Sequence, residues 1–364
     1  MNVLFISYVF EPDPSVGAKR MSYWAQNFKS HLPNSRVYLI TTTKNPSSKG
    51  IDKVISTTPN NSSLLSYVIK DKGVGWKPSI ISALKKNKIT DLSHVIISGG
   101  PFMQFSIIDF LKKEYSAKVV LDYRDPFAIN PRFQNNVLKV SIKRFFERRF
   151  NKAADLIISV NDYCLELLTG FEKNKKKFKV IPNGFNEQLL PNVINQENTN
   201  EKLTIIYAGT FYEDRSPVYF LKALQRESGV ELAHIGKPSE YLAESRNVKE
   251  FGMRPYDEML ELINKSDVGL IITSGEPFES TTKIYDYIAL KKPILVITSG
   301  ELYSGAIGQD LENYPVVWCK NNEESIKNAF IELRKLQNIT VDSHKYSRKK
   351  GLESLIQQLK NLEQ

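Results

Sequence analysis

Short apolar runs rich in Val and Ile recur along this chain, and each gives way to a loop and then to apolar residues at helical spacing. In the first half they are NVLFISYVF, RVYLITTT, HVIISGG, KVVLDY, DLIISV and FKVIPNG; in the second, LTIIYAG, ELAHIG, DVGLIIT and PILVIT. Continuous rather than alternating apolar runs suit strands buried on both faces, hence parallel sheets covered by helices. Each half therefore reads as a doubly wound α/β unit. Between the halves, PNVINQENTNEK is polar, Asn-rich and without periodicity, as a linker is. The expected organisation is a Rossmann-like domain over residues 1–190, a linker over 191–202, a second such domain over 203–340, and a helix over 341–364 that packs back toward the first domain.

Sheets of this kind bind ligands beyond the carboxyl ends of their strands, so two such domains are expected to present their functional loops across a cleft. With 364 residues, 41% hydrophobic and 25% charged, the chain holds two ordinary cores and has no long disordered span. Its cysteines, Cys164 and Cys319, lie far apart without metal-ligand spacing, which points away from a disulfide framework or zinc site and toward a reducing compartment. MNVLFISYVF lacks a basic n-region and reads as a buried first strand, and no run has the length of a membrane span. The net charge of +10 is uneven: residues 1–200 carry 29 Lys and Arg against 16 Asp and Glu, and the remainder 21 against 24. A basic half of this kind faces nucleic acid, anionic lipid or a phosphorylated substrate, or is simply a solvated surface.

Two loops of the second half carry the strongest chemical signal. LTIIYAGTFYEDRSPVYFLKAL runs strand, loop, helix, with Ser216 placed as N-cap, Pro217 at the first helical position and Arg215 just before them. After DVGLIIT, the loop SGEPFES leads into STTKIYDYIAL, where Ser280, Thr281 and Thr282 supply hydroxyls and Lys283 falls in the first helical turn. A lysine there opposes the helix macrodipole unless an anion sits before both. Two helix ends, a guanidinium and an ammonium at one sheet edge make a diphosphate site. The alternative is that Arg215 and Lys283 are surface residues paired with Glu213 and Glu279. Asp286, one turn beyond Lys283, is placed to accept hydrogen bonds from ribose hydroxyls or to pair with that lysine.

ESTTKIYDYIALKKPILVI, with YAGTFYEDRSP and EFGMRPYDEMLELINKSDVGLIIT before it, resembles the donor-binding domain of the retaining, nucleotide-sugar-dependent glycosyltransferases of the GT-B fold. MNVLFISYVFEPDPSVGAKRM, VIISGGPF, LDYRDPF, ERRFNKAADLIISVNDY and KVIPNGFNEQ resemble the same group in order and spacing. The resemblance implies that Arg215 and Lys283 meet the donor diphosphate and stabilise the leaving group. It places Asp286 at the second acidic position of a Glu-x7-Glu motif, the ribose contact. Strict spacing puts Phe278 at the first acidic position, so the sugar contact falls to Glu279, with Glu276 as the alternative. Arg254 lies in the nucleobase-contacting segment.

In the first half, Gly17 matches a glycine loop that lets backbone approach sugar or phosphate. Lys19 and Arg20 open the following helix and are candidates for donor phosphates or a phosphorylated acceptor. Asp122, Arg124 and Asp125 end a buried strand, where they orient the acceptor hydroxyl, with Asp125 in a catalytic role, or form a structural ion-pair network. Phe105 stands where close relatives of the pattern carry histidine. None of His31, His94, His234 and His344 sits in a catalytic arrangement, and no ligand cluster for a metal is evident, so no metal and no cofactor are expected beyond the nucleoside diphosphate sugar as co-substrate.

GWKPSIISALKKNK and KVSIKRFFERRFNK combine cations with apolar residues at helical spacing, the pattern of helices that lie on anionic membranes and also of ordinary amphipathic helices on a sheet. The combined expectation is a metal-independent retaining glycosyltransferase with a glycan or lipid-linked acceptor, serving cell-surface polysaccharide synthesis. It is placed in the cytoplasm, with the inner membrane face as a candidate partner and no nucleic acid. A GT-B nucleotide-sugar epimerase, a basic nucleic-acid binder and a non-catalytic scaffold are the alternatives.

Overall fold

A computed structural model describes residues 1–60, 68–131, 136–193, 202–243, 245, 247–336 and 343–363. The chain divides into two compact units: Met1–Asn183 together with Arg348–Gln364, and Gly184–Ser347. Most of the linker expected over 191–202 lies outside the described residues.

The first unit holds β1 (Asn2–Ser7), β2 (Arg36–Thr41), β3 (Lys53–Ser56), β4 (His94–Ser98), β5 (Lys118–Tyr123), β6 (Leu156–Ser159) and β7 (Phe178–Val180). They form one parallel sheet in the order β3-β2-β1-β4-β5-β6-β7. The second unit holds β8 (Leu203–Ala208), β9 (Val230–Ile235), β10 (Val248–Gly252), β11 (Val268–Thr273), β12 (Ile294–Thr298) and β13 (Val316–Lys320), parallel in the order β10-β9-β8-β11-β12-β13. Both are doubly wound, and the strand order reverses between β1 and β4 and again between β8 and β11. Loops leaving those strands at their carboxyl ends therefore diverge and leave room for a ligand.

The apolar runs become these strands because each is buried on both faces: every residue of β4, β11 and β12 is buried. Fully burying one such Val, Leu or Ile side chain contributes about 1.5–3 kcal/mol, so the central strands hold each sheet together. The strands absent from the sequence reading, β3, β10 and β13, all lie at sheet edges. There one side meets solvent and the burial pattern breaks up, as in β10, whose residues are half-buried or exposed.

The helix Arg348–Asn361 belongs to the first unit although it follows the second in sequence. Leu352, Leu355, Ile356 and Leu359 at helical spacing are buried in one cluster with Val3, Phe5, Trp24 and Phe28.

Candidate functional site: a cationic pocket at the strand-order reversal

A pocket in the second unit is lined by Tyr207, Arg215, Ile271, Ile272, Glu279, Thr281, Lys283 and Ile307. Tyr207 is the penultimate residue of β8, Arg215 stands in the loop that follows, and Glu279, Thr281 and Lys283 follow β11. The loops that meet here are thus the pair expected from the strand order.

Lys283 is the first residue of the helix Lys283–Ala289, with Thr282 at the N-cap position, and no capping side-chain hydrogen bond is made. Its half-buried ammonium lies 5.1 Å from the centre of the Tyr207 ring. Among the described residues it makes no hydrogen bond and no ion pair. Burial, reinforced by the Arg215 charge, pushes its pKa down to about 8, with Asp286 pulling in the opposite direction. Two elements hold the ammonium here. The Tyr207 ring stacks on Phe211 at 4.4 Å, Phe211 stacks on His234 at 5.0 Å, and the tyrosine hydroxyl donates to the Thr210 carbonyl at 3.0 Å. On the other side is Gly209, where an added Cβ would stand 2.4 Å from Lys283 Nζ. His234 Nε2 in turn contacts the Gly209 carbonyl at 2.9 Å.

Arg215 is 21% exposed and closes a tight turn by donating its backbone N–H to the Tyr212 carbonyl at 3.1 Å. Its guanidinium lies 4.7 Å from the Tyr212 ring centre and pairs through Nη1 with Glu279 Oε1 at 3.3 Å. Glu279, 3% exposed, accepts through Oε2 from the Thr273 hydroxyl and from the Ser274 N–H and hydroxyl, the last two at 3.0 and 2.8 Å. Neither pairing weighed from sequence is found among the described residues: Arg215 pairs with Glu279 and, more loosely, with Asp214 at 3.7 Å instead of with Glu213, and Lys283 does not pair with Glu279. The helix after Arg215 begins at Val218, one residue later than expected, with Pro217 at its N-cap position.

Asp286 is buried and accepts a short 2.5 Å hydrogen bond from Tyr256. Ser280 and Thr282 are half-buried beside Thr281. Arg254 folds onto its own loop, donating to the Phe251 carbonyl at 2.9 Å and pairing with Glu258 at 3.6 Å. Tyr207, Gly209 and Tyr256 went unremarked in the sequence, although YAG ends a strand at the reversal and so marks the place where ligand-facing residues fall.

In the first unit Arg124 donates to the carbonyls of Gly99, at 3.2 and 2.6 Å, and of Gly100 at 3.2 Å. An added Cβ on Gly17 would stand 1.8 Å from Arg124 Nη1. The glycine is thus required for the guanidinium to cross the reversal between β1 and β4. Lys19 is half-buried and Asp125 exposed nearby in sequence. Arg20 and Asp122 form a 3.0 Å ion pair with 2% and 0% exposure, and Arg20 also donates to the Pro182 carbonyl at 2.6 Å and lies over Trp24. For these two the geometry is that of a structural pair, with no surface left to meet an acceptor directly. Among the described residues no group of three His, Cys, Asp or Glu side chains is arranged to hold a metal ion, and no helix is long and apolar enough to cross a membrane.

No model of a known protein family matches the chain, and no curated protein sequence does. Solved structures do. Anabaena HepE in complex with UDP and glucose is similar with a TM-score of 0.67 at 14% identity, over 99% of this chain and 100% of that one. Sucrose-phosphate synthase from Thermosynechococcus elongatus gives 0.65 at 13%, over 99% and 94%. UDP-GlcNAc 2-epimerase from Neisseria meningitidis bound to UDP-GlcNAc gives 0.60 at 12%, over 99% and 100%. At such identities the likeness is one of fold, and the chain has the two-unit, doubly wound α/β architecture of the GT-B type.

Proposed function

We propose that this chain is a glycosyltransferase that moves a sugar from a nucleoside diphosphate donor to a glycan or lipid-linked acceptor, with retention of configuration, in cell-surface polysaccharide synthesis. The observation that carries the reading is Lys283: a half-buried ammonium without a carboxylate, beside Arg215, at the strand-order reversal of a doubly wound sheet. A cation held in that state at a cost in solvation is complementary to an anion that arrives with the substrate. When the glycosidic C–O bond breaks, its electron pair stays on the departing diphosphate, and Lys283 and Arg215 neutralise that charge without a metal ion. Asp286, oriented by Tyr256, takes the ribose, and Arg254 lies in the loop assigned to the base. Glu279 reaches the sugar from beside Arg215. Lys19, Arg124 and Asp125 form the acceptor side, with Asp125 orienting the hydroxyl and the pair of Arg20 and Asp122 supporting it, and Gly17 is assigned to the donor.

UDP is the first nucleotide to try, since the similar structures of HepE and the epimerase hold UDP or a UDP-sugar. The test incubates the protein and UDP-sugars with and without glycan acceptors in EDTA, followed by mass spectrometry and by NMR of the new anomeric proton. Transfer with a retained anomer in EDTA supports the reading. The likeness to 2-epimerases favours one rival, and isomerisation of a donor supplied alone, without transfer, would decide for it.

A further inference from the structure

The helix Val137–Ala153 buries only Glu147, Phe150 and Asn151. Its apolar residues Val137, Leu138 and Phe145 are 81%, 67% and 64% exposed, more than single surface apolar residues within a packed patch would be. Leu138 and Phe145 are seven residues apart, and Arg148, Arg149 and Lys152 continue the same side of the helix. The helix's one carboxylate, Glu147, is turned inward, accepting from the Ala128 N–H and from the N–H and hydroxyl of Thr169. Of the exposed cations, Arg149 pairs with Asp109 at 2.6 Å.

The neighbouring segment extends the charge. Lys177 caps the end of the helix by donating to the carbonyls of Asn151 and Lys152 at 2.7 and 3.2 Å, and this draws Phe171–Lys177, with the exposed Lys173, Lys175 and Lys176, alongside it. Grooves border the helix on both sides. One is lined by Lys77, Phe105, Ile108, Phe146, Arg149 and Phe150, and the other by Arg148, Leu168, Phe171 and Lys173 among others. Each combines apolar residues and cations with a single carboxylate, Asp109 in the first and Glu172 in the second.

We infer that this face of the first unit docks on an anionic lipid bilayer. Exposed aliphatic and aromatic side chains at one end of the helix enter the headgroup boundary, and the cations along the rest of it meet lipid phosphates. Nucleic acid would use the same cations but would leave Val137 and Leu138 in water, and a bilayer is the partner that gives both sets an environment. The inference concerns the first unit alone and holds whether or not the second unit binds a nucleotide.

The test is co-flotation of the full chain with vesicles of phosphatidylcholine alone or with about a third phosphatidylglycerol. Binding is expected to the anionic vesicles only and to weaken as salt rises. Arg148→Ala with Lys152→Ala lowers the partition coefficient about 30-fold, at about 1 kcal/mol per cation near the surface. Leu138→Ser with Phe145→Ser lowers it about tenfold or more, and UDP affinity stays as in the parent in both. No binding to anionic vesicles, equal binding to neutral ones, parental binding by both variants, or retention on RNA with none on vesicles would each overturn it.

Discussion

Lys283 has two opposed duties whose signs can be worked out from its depressed pKa. Burial penalises the charged form, so below about pH 8 the lysine opposes folding, and that opposition fades as pH rises toward the ordinary lysine value. Lys283→Met is therefore expected to stabilise the protein at pH 7 by about 1–3 kcal/mol in urea unfolding, while abolishing the anion site. Diphosphate binding needs the charged form. Affinity for UDP should stay level up to about pH 8 and fall by up to tenfold per pH unit above it, and calorimetry at stepped pH reads this directly. Glu279 makes the complementary case. Glu279→Gln keeps the shape but removes the buried carboxylate from Arg215, leaving only the exposed Asp214 at 3.7 Å, and should lower unfolding free energy by about 2 kcal/mol. If turnover falls more than a hundredfold at saturating donor while UDP affinity holds, Glu279 also serves the sugar; parental turnover would restrict it to holding Arg215.

At the scale of elements, the sequence showed which loops to watch but not how their side chains are held. The buried runs LTIIYAG and DVGLIIT name β8 and β11, and the cations that follow them were legible because charge after an apolar run is a local signal. Tyr207 and Gly209 were not, since their roles depend on Lys283, which lies more than seventy residues further along the chain, reaching back across the sheet. That close approach gives a prediction. Gly209→Ala puts a methyl where the ammonium stands, and the obstacle is the far end of a flexible side chain, so Lys283 moves and the fold survives. UDP affinity is expected to fall at least tenfold with a stability loss of about 1–3 kcal/mol, the scale of a side chain placed at the φ of +157° that Gly209 adopts. Likewise the edge strands β3 and β10, half-buried or exposed along their length, present no continuous buried run to read.

For the whole molecule, two doubly wound sheets were legible from the repeated runs alone, whereas the assignment of each acid at the ends of the strands was not. The pairing of Arg20 with Asp122 is fixed by tertiary packing over a hundred residues of chain. The first unit is also discontinuous, since it is completed by the helix Arg348–Asn361. Leu352, fully buried in the cluster with Trp24, anchors that helix. Leu352→Ala should cost about 2–5 kcal/mol in the first unit and leave UDP binding by the second intact, a split that thermal unfolding with and without UDP makes visible.

The ammonium of Lys283, without an ion pair among the described residues, is assigned to a nucleoside diphosphate. Isothermal titration of UDP, and of GDP and ADP in parallel, into the parent protein and Lys283→Ala at pH 7 tests it most directly. Measurable binding of at least one nucleoside diphosphate is expected, with a loss of about a hundredfold or more in the variant; equal affinity in the two proteins, or no binding of any of the three by the parent, would rule the role out.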